Sequence, residues 1–467
     1  MKKKFLMIPV LATLVLVGCG KRNVEPQPQD EVVNISTEEG KAQVTSFLDK
    51  SIDLYSNPTN LKALHVNEEC KDMNLVLNAS IRETSMYGLN ELGLSFKNFN
   101  LKADEYARID EERKVEGMVN VKELSGRHSV SLGLFQPLEG QTPGQEPKGI
   151  FMQGHFFVEP TNINAYFKDG NGYFDLTDEG LRTTLENASK FATNVYQTYE
   201  AIEEKMDELQ GAAAASQQVR LPLREGEQQP EQQQPEQQDL DLNALLDQYT
   251  NPSRKFQTVI EENGFVISEE DYQAATEEEV AEAKSDVKDI VDNILPALAV
   301  SQIVTVTALG NGGLQFELNV NKQKVVDVIP IIEDYIEAKE AAEAAQQSQQ
   351  QQQPDNASIR RDGEQQPEQQ QPAEPTTAEI FDQVVSKFDI NAKVVFDQQG
   401  YLRDLAVNYD IVAGVVGQAW KIFNLQGTAD VDLAMNGKIS ASIQYNDEVS
   451  FALPEDLNQY AVVNFKD

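Results

Sequence analysis

The chain has 467 residues, 40% of them hydrophobic, and carries 39 basic against 76 acidic residues for a net charge of −37. Such acidity excludes the phosphate backbone of a nucleic acid as a partner, because that contact needs clustered cations, and it leaves no basic patch to hold an anionic lipid surface. The length allows two or three domains, of which long Gln/Pro tracts leave about 350 residues to fold, and the acidity itself reads as a device for solubility.

The chain opens with Lys2, Lys3 and Lys4, an apolar run from Phe5 to Val17, and Leu16-Val17-Gly18-Cys19. A basic start, a short apolar core and small residues before a cysteine are the marks of an export signal. An apolar helix of this length spans only about 20 Å against a hydrocarbon core of about 30 Å, too short to cross. The run is similar to the lipobox of bacterial lipoproteins. That resemblance implies a signal peptide over residues 1–18, cleavage before Cys19, and diacylation of Cys19 in the manner of palmitate-bearing anchors. The expected address is the extracytoplasmic face of a cell membrane, at the cell surface or, in a two-membrane cell, in the periplasm or on the outer membrane. Only Cys19 and Cys70 are present. Acylation would consume the first, so no disulfide within the folded part is expected and Cys70 reads as a small apolar residue.

Residues 19–36, polar with Pro26 and Pro28, read as a lipidated tether. A first β-rich lobe is expected over 37–210. Its period-two segments are Met73 to Ile81, Val115 to Val121, Val130 to Leu134 and Ile150 to Val158. A hairpin follows, from Ile163 to Lys168 through Asp169-Gly170-Asn171-Gly172 into Tyr173 to Leu176. A long helix should then run from Asp178, capped by Thr177, to about Leu209.

Residues 211–239 form a Gln/Pro-rich linker, and a second α+β lobe is expected over 240–467, with a disordered insertion at 346–377. The two tracts nearly copy each other, Arg224 to Pro235 matching Arg361 to Pro372 in all but one position. Gln, Glu and Pro build no core. Helices are expected from Leu240 to about Asn263, from Glu269 to about Ile294, from Val325 to Ala345 with Pro330 inside, and from Glu379 to Phe388. Between them lies a hairpin, Ile303 to Leu309 and Leu314 to Val320, turning at Gly310-Asn311-Gly312-Gly313. The end reads as a meander: Ile390 to Phe396, Gly427 to Met435, Ile439 to Tyr445 and Val449 to Leu453.

Three local patterns are similar to the export-sector half-barrel lipoproteins, the LolA-like and mycobacterial lipid carriers. Gly437 to Ile443 with Glu448 to Asp456 resembles their closing hairpin, Tyr166 to Leu176 their central hairpin, and Asp397 to Leu402 another turn. The resemblance implies an α+β fold in which a curved antiparallel sheet, half-barrel-like, has long helices packed on one face. It also implies a carrier that holds acyl chains or another hydrophobic, envelope-derived ligand. The different expectation is a non-enzymatic envelope scaffold, with a fully packed core and a protein partner.

Nothing in the sequence assembles catalysis. His65, His128 and His155 stand far apart, no metal-ligand spacing occurs, and the Asp169 loop departs from a calcium loop at its fifth, sixth and twelfth positions. No nucleophile elbow or phosphate loop is present, so neither an enzyme nor a cofactor is expected. Trp420, the single tryptophan, reads either as a core anchor or as the lining of a ligand cavity. Tyr199, Met206 and Tyr335 lie on apolar helical stripes that either pack on the sheet or plug such a cavity.

Overall fold

The computed structural model describes residues 30–82, 88–135, 149–194, 196, 197, 200, 241–250, 254–260, 265–350, 376–422 and 425–463. Cys19, most of the tether, Tyr199, Met206 and both Gln/Pro tracts lie outside these residues. The fold is α+β: among the described residues, thirteen strands join one large mixed sheet accompanied by helices. Two compact units are present, one made of residues 1–60 and 273–414, the other of 61–272 and 415–467. Each is built from two separate stretches of chain, unlike the contiguous lobes 37–210 and 240–467 expected above.

The first unit holds β1 (Glu31–Val32), α1 (Glu38–Tyr55), and the later elements between residues 273 and 414. Residues 31–35, expected in the tether, are already folded: β1 pairs with a strand of the sheet, and Val33 and Ile35 are buried. Helix α1 starts at Thr37, whose hydroxyl accepts from the Gly40 amide. A Cβ on Gly40 would stand 2.0 Å from the Asn34 carbonyl oxygen, so only glycine lets the chain turn into the helix there.

The second unit is dominated by antiparallel strands of unusual length: β2 (Ala63–Arg82), β3 (Gly88–Ile109), β4 (Val115–Phe135) and β5 (Gly149–Lys168). At about 3.4 Å per residue these run for about 70 Å. Expected breaks near Asp72, Lys122 and Pro160 are instead β-bulges, where the register shifts and the strand continues. Asp72 and Asn98 take positive φ at these points, a conformation that Asp and Asn tolerate. Pro160 falls in the unpaired stretch between Val158 and Thr161, where its missing N–H costs no ladder bond, and the Glu159 amide donates to the Thr184 hydroxyl.

A two-residue turn joins β5 to β6 (Asn171–Asp175), with Asp169 and Gly170 both at positive φ as a type I′ hairpin requires. Helix α2 follows from residue 179 and is described to 194. Its cap is Asp178 rather than the expected Thr177: Asp178 Oδ1 accepts from the Leu181 amide, while Thr177 donates to Asp175. The helix expected over 240–263 is α3 (Leu242–Thr250) followed by a strand, β7 (Lys255–Val259), which pairs antiparallel with β6.

Back in the first unit, α4 (Glu277–Asn293) begins eight residues later than expected, where Thr276 and Glu279 form a capping box. α5 (Leu295–Val300), β8 (Val304–Ala308) and β9 (Leu314–Asn321) follow, the last two forming the expected hairpin. α6 (Lys322–Gln350) contains Pro330, and α7 (Thr377–Val384) leads into β10 (Val385–Phe396), which takes the end of the expected 379–388 helix into the sheet. The Asp397 to Gly400 turn delivers β11 (Leu402–Ile422), a strand that alternation had not marked. The order in this unit is β1-β8-β9-β10-β11. One face of β8, β9 and β10 packs under α1, α4, α5 and the start of α6 to form the main core, in which Val44, Val291, Val306, Phe316 and Val394 are at most 1% exposed.

β12 (Leu425–Tyr445) closes the second unit by pairing along β2. The two expected strands 427–435 and 439–445 are therefore one. The order there is β12-β2-β3-β4-β5-β6-β7-β13, with β13 (Ala461–Val462) parallel to β7. Residues 449–454 are not a strand, so the expected closing hairpin is absent; that segment and the turn after it instead lay Phe451, Leu453, Leu457 and Tyr460 on the sheet.

Candidate ligand-binding face

Register places apolar side chains in rows across five long strands of the second unit. One row is Met435, Leu75, Phe96, His128 and Phe156; the next is Leu433, Leu77, Leu94, Val130 and Gly154. Val431, Ala79 and Leu92 continue the pattern, and on the other side of the bulges so do Ile439, Cys70, Leu101 and Leu124. β12 runs through the bulge line with its alternation intact, so Ile439, Met435, Leu433 and Val431 share one face. From Val431 to Ile439 this face is about 27 Å long, and from β12 to β5 it is about 19 Å wide.

The reverse face of the same stretch is polar. Its rows are Ala434, Val76, Ser95, Ser129 and His155, then Asp432, Asn78, Gly93 and Ser131, and the Ser95 and Ser129 hydroxyls meet at 2.5 Å. A sheet so divided must cover one side.

Among the described residues the cover is partial. At the β5 edge, Phe191 of α2 leans on Phe156 with ring centroids 6.3 Å apart and fills the space over Gly154, where a Cβ would lie 2.6 Å from its ring. Leu75, Leu77, Leu94, Val130, Leu433 and Met435 are only half-buried, and Phe96 is 43% exposed. Burial pushes the Cys70 thiol and the Glu68 carboxyl up, Glu68 adding to the first effect and Glu105 to the second, and it pushes His128 down. All three shifts favour the neutral form.

Nearer the Asp169 turn, the reverse face is aromatic and covered. His65 stacks on Tyr106, Tyr106 meets Phe451, and Tyr173 meets Tyr460 edge-on. Asp104 is buried beside them: burial alone would raise its pKa, but hydrogen bonds from Lys122, Asn67 and His65 outweigh it and hold the carboxyl below its usual range. Asp175 is held down likewise by Thr177 and Lys255 against the effect of burial. Burial, with Asp175 close by, pushes the Tyr460 phenol up.

Of the residues singled out in the sequence, Tyr335 lies on α6 and donates its hydroxyl to Asp289 of α4. Trp420 lies in β11 with its side chain outside the described residues, as are Cys19, Tyr199 and Met206. The apolar rows were visible in β2, β4, β5 and β12, but the β3 members Leu92, Leu94 and Phe96 were missed, because Gly93 and Ser95 between them favour turns rather than strands. Among the described residues no group of three or more His, Cys, Asp or Glu side chains gathers as a metal site, and no helix is long and apolar enough to cross a membrane. No protein-family model matches the chain, and no curated protein matches it in sequence.

Proposed function

We propose that the chain is an extracytoplasmic lipoprotein, anchored through Cys19, that binds the acyl part of an envelope lipid on the apolar face of its second unit. One observation carries the reading: rows of Leu, Val, Met and Phe spread across β12, β2, β3, β4 and β5, half-buried and backed by a polar reverse face. The face is longer than one leaflet, about half of a hydrocarbon core of about 30 Å, which is the reach of an acyl chain. Each methylene taken from water contributes about 0.8 kcal/mol before ordering costs. The mechanism is displacement of water, with no bond made or broken.

A protein beginning at Gly20, which keeps Val33 and Ile35 in their core, is purified, extracted with organic solvent and examined by mass spectrometry before and after extraction. A stoichiometric lipid, or recharging of the extracted protein by a fluorescent fatty acid, supports the carrier. An empty protein that takes up neither favours the scaffold reading, which the closed core of the first unit independently supports for that unit.

A further inference from the structure

The reverse face of the second unit gathers cations that lie far apart in a strongly acidic sequence. Around the bulge line, Lys438 of β12 stands directly opposite Lys71 of β2, and Lys97 of β3 directly opposite Arg127 of β4. Each of the four adjoins a member of the apolar rows, Ile439, Cys70, Phe96 or His128, so strand alternation turns it to the other side. All four are exposed. On the same side Asn436 lies opposite Asn74 and Asn100 opposite Ser125, and the neighbouring row is Ala434, Val76, Ser95, Ser129 and His155. Asp72 in the β2 bulge aside, this stretch holds no carboxylate; the next are Glu69 and Glu123, which flank Lys102 one row beyond, and Glu159 past Phe157 on β5.

Elsewhere cations are matched by acids, as Arg108 is by Glu116, Lys122 by Asp104 and Lys387 by Asp410. Among the described residues none of these four has a carboxylate partner, and like charges directly opposite on adjacent strands destabilise a sheet. The strands hold them in place all the same. Asn74 Oδ1 accepts from the Asn98 amide at 2.9 Å and Asn100 Oδ1 from the Asp72 amide at 3.0 Å, which closes the bulges between the two pairs. Arg127 lies over the Phe157 ring, its guanidinium carbon 5.7 Å from the centroid, and that ring is itself 42% exposed.

We propose that this face docks on an anionic membrane leaflet, Lys71, Lys97, Arg127 and Lys438 taking the lipid phosphates and Phe157 entering the headgroup layer beside Arg127. Spread over four strands, about 14 Å, the cations suit a surface rather than a single anion, and an exposed aromatic ring beside a cation suits the boundary between headgroups and acyl chains. A second copy is the poorer partner, because two chains of net charge −37 repel each other, and a nucleic acid calls for a longer track of cations. Each cation brought to an anionic leaflet strengthens binding about fivefold. The inference rests on the proposed anchoring through Cys19, which keeps headgroups at high local concentration so that a small patch suffices to orient the unit. It does not depend on what the apolar rows bind.

The test is sedimentation of the protein beginning at Gly20 with vesicles of phosphatidylcholine, alone or mixed equally with phosphatidylglycerol. Binding is expected to the mixed vesicles only, and to fall steeply as salt rises from about 0.01 M to about 1 M and the Debye length shrinks from about 30 Å to about 3 Å. Lys71→Gln with Lys97→Gln removes one member of each opposed pair, so this variant should unfold no earlier than wild type while its affinity for the mixed vesicles falls about twentyfold. Lys62→Gln with Lys190→Gln, exposed cations elsewhere in the same unit, should stay within about twofold of wild type. Equal binding to both vesicles, or an equal loss in the two variants, overturns the docking surface. Capture of soluble polyphosphate without vesicle binding assigns the patch to another polyanion and overturns it too. The anchor is read separately, from the mass of the N-terminal peptide of the full chain extracted from membranes: an unacylated Cys19 overturns the anchoring while vesicle binding by the patch still stands.

Discussion

Lys122 reaches across from β4 to Asp104 on β3, pairing with a carboxylate whose side chain is 8% exposed while its own side chain stays 45% exposed. Asn67 and His65 complete the shell from β2. Asp104→Asn removes the charge on which these donors converge and is expected to cost about 1–3 kcal/mol at pH 7 in denaturant unfolding. Because the folded pKa is depressed, this contribution is complete above the ordinary aspartate range and is lost as the pH falls below about 4. The stability difference between wild type and variant should therefore shrink at pH 3.

Phe96 separates binding from folding. Its ring is 43% exposed, so Phe96→Ala should cost no more than about 1 kcal/mol of stability. Fluorescent fatty-acid titration should show a clear loss of affinity; unchanged affinity would remove this ring from the binding face.

Phe316 is the converse case. It is 1% exposed and meets Phe396 edge-on at 6.2 Å, so Phe316→Ala is expected to cost about 3–5 kcal/mol. If the two units unfold independently, calorimetry will show the transition of the first unit fall while lipid uptake by the second persists.

Tyr335 donates its hydroxyl to Asp289, and that bond, more than burial, pushes its pKa up to about 12. The neutral phenol is the form favoured in the folded protein, so the bond stabilises below pH 10 and is lost as the pH rises from about 10 toward about 12. Ultraviolet titration of wild type against Tyr335→Phe should assign the missing phenol to a transition near pH 12, well above that of an ordinary tyrosine.

Alternation revealed part of β2 and two pieces each of β4, β5 and β12, misplaced their joins, and marked nothing of β3. Asp72, Pro160 and Asn436-Gly437 carry turn chemistry, yet each sits at or beside a bulge, because neighbouring strands supply a ladder that overrides a local breaker. β11 was missed since Val407 to Gly417 mixes apolar residues on both faces. The Asp397 turn and both glycine hairpins were legible because positive φ demands their residue types: Gly400 lies at φ +95° with Ser51 closing the space over it. Tyr335, chosen for its helical stripe, proved to serve a hydrogen bond in the first unit, while the continuous face of the second emerged only from the pairing of strands distant in sequence.

The N-terminal strand bears on the distance at which such a protein works. With Glu31 and Val32 paired to β8 and Val33 and Ile35 sealed in the core, a chain anchored at Cys19 has only residues 20–30 between its acyl groups and its first strand. Fully stretched, that leash reaches about 40 Å at most, no more than the thickness of one bilayer with its headgroups. Under the anchoring proposed above, the folded part would be restricted to traffic with the membrane that holds it or one pressed close against it.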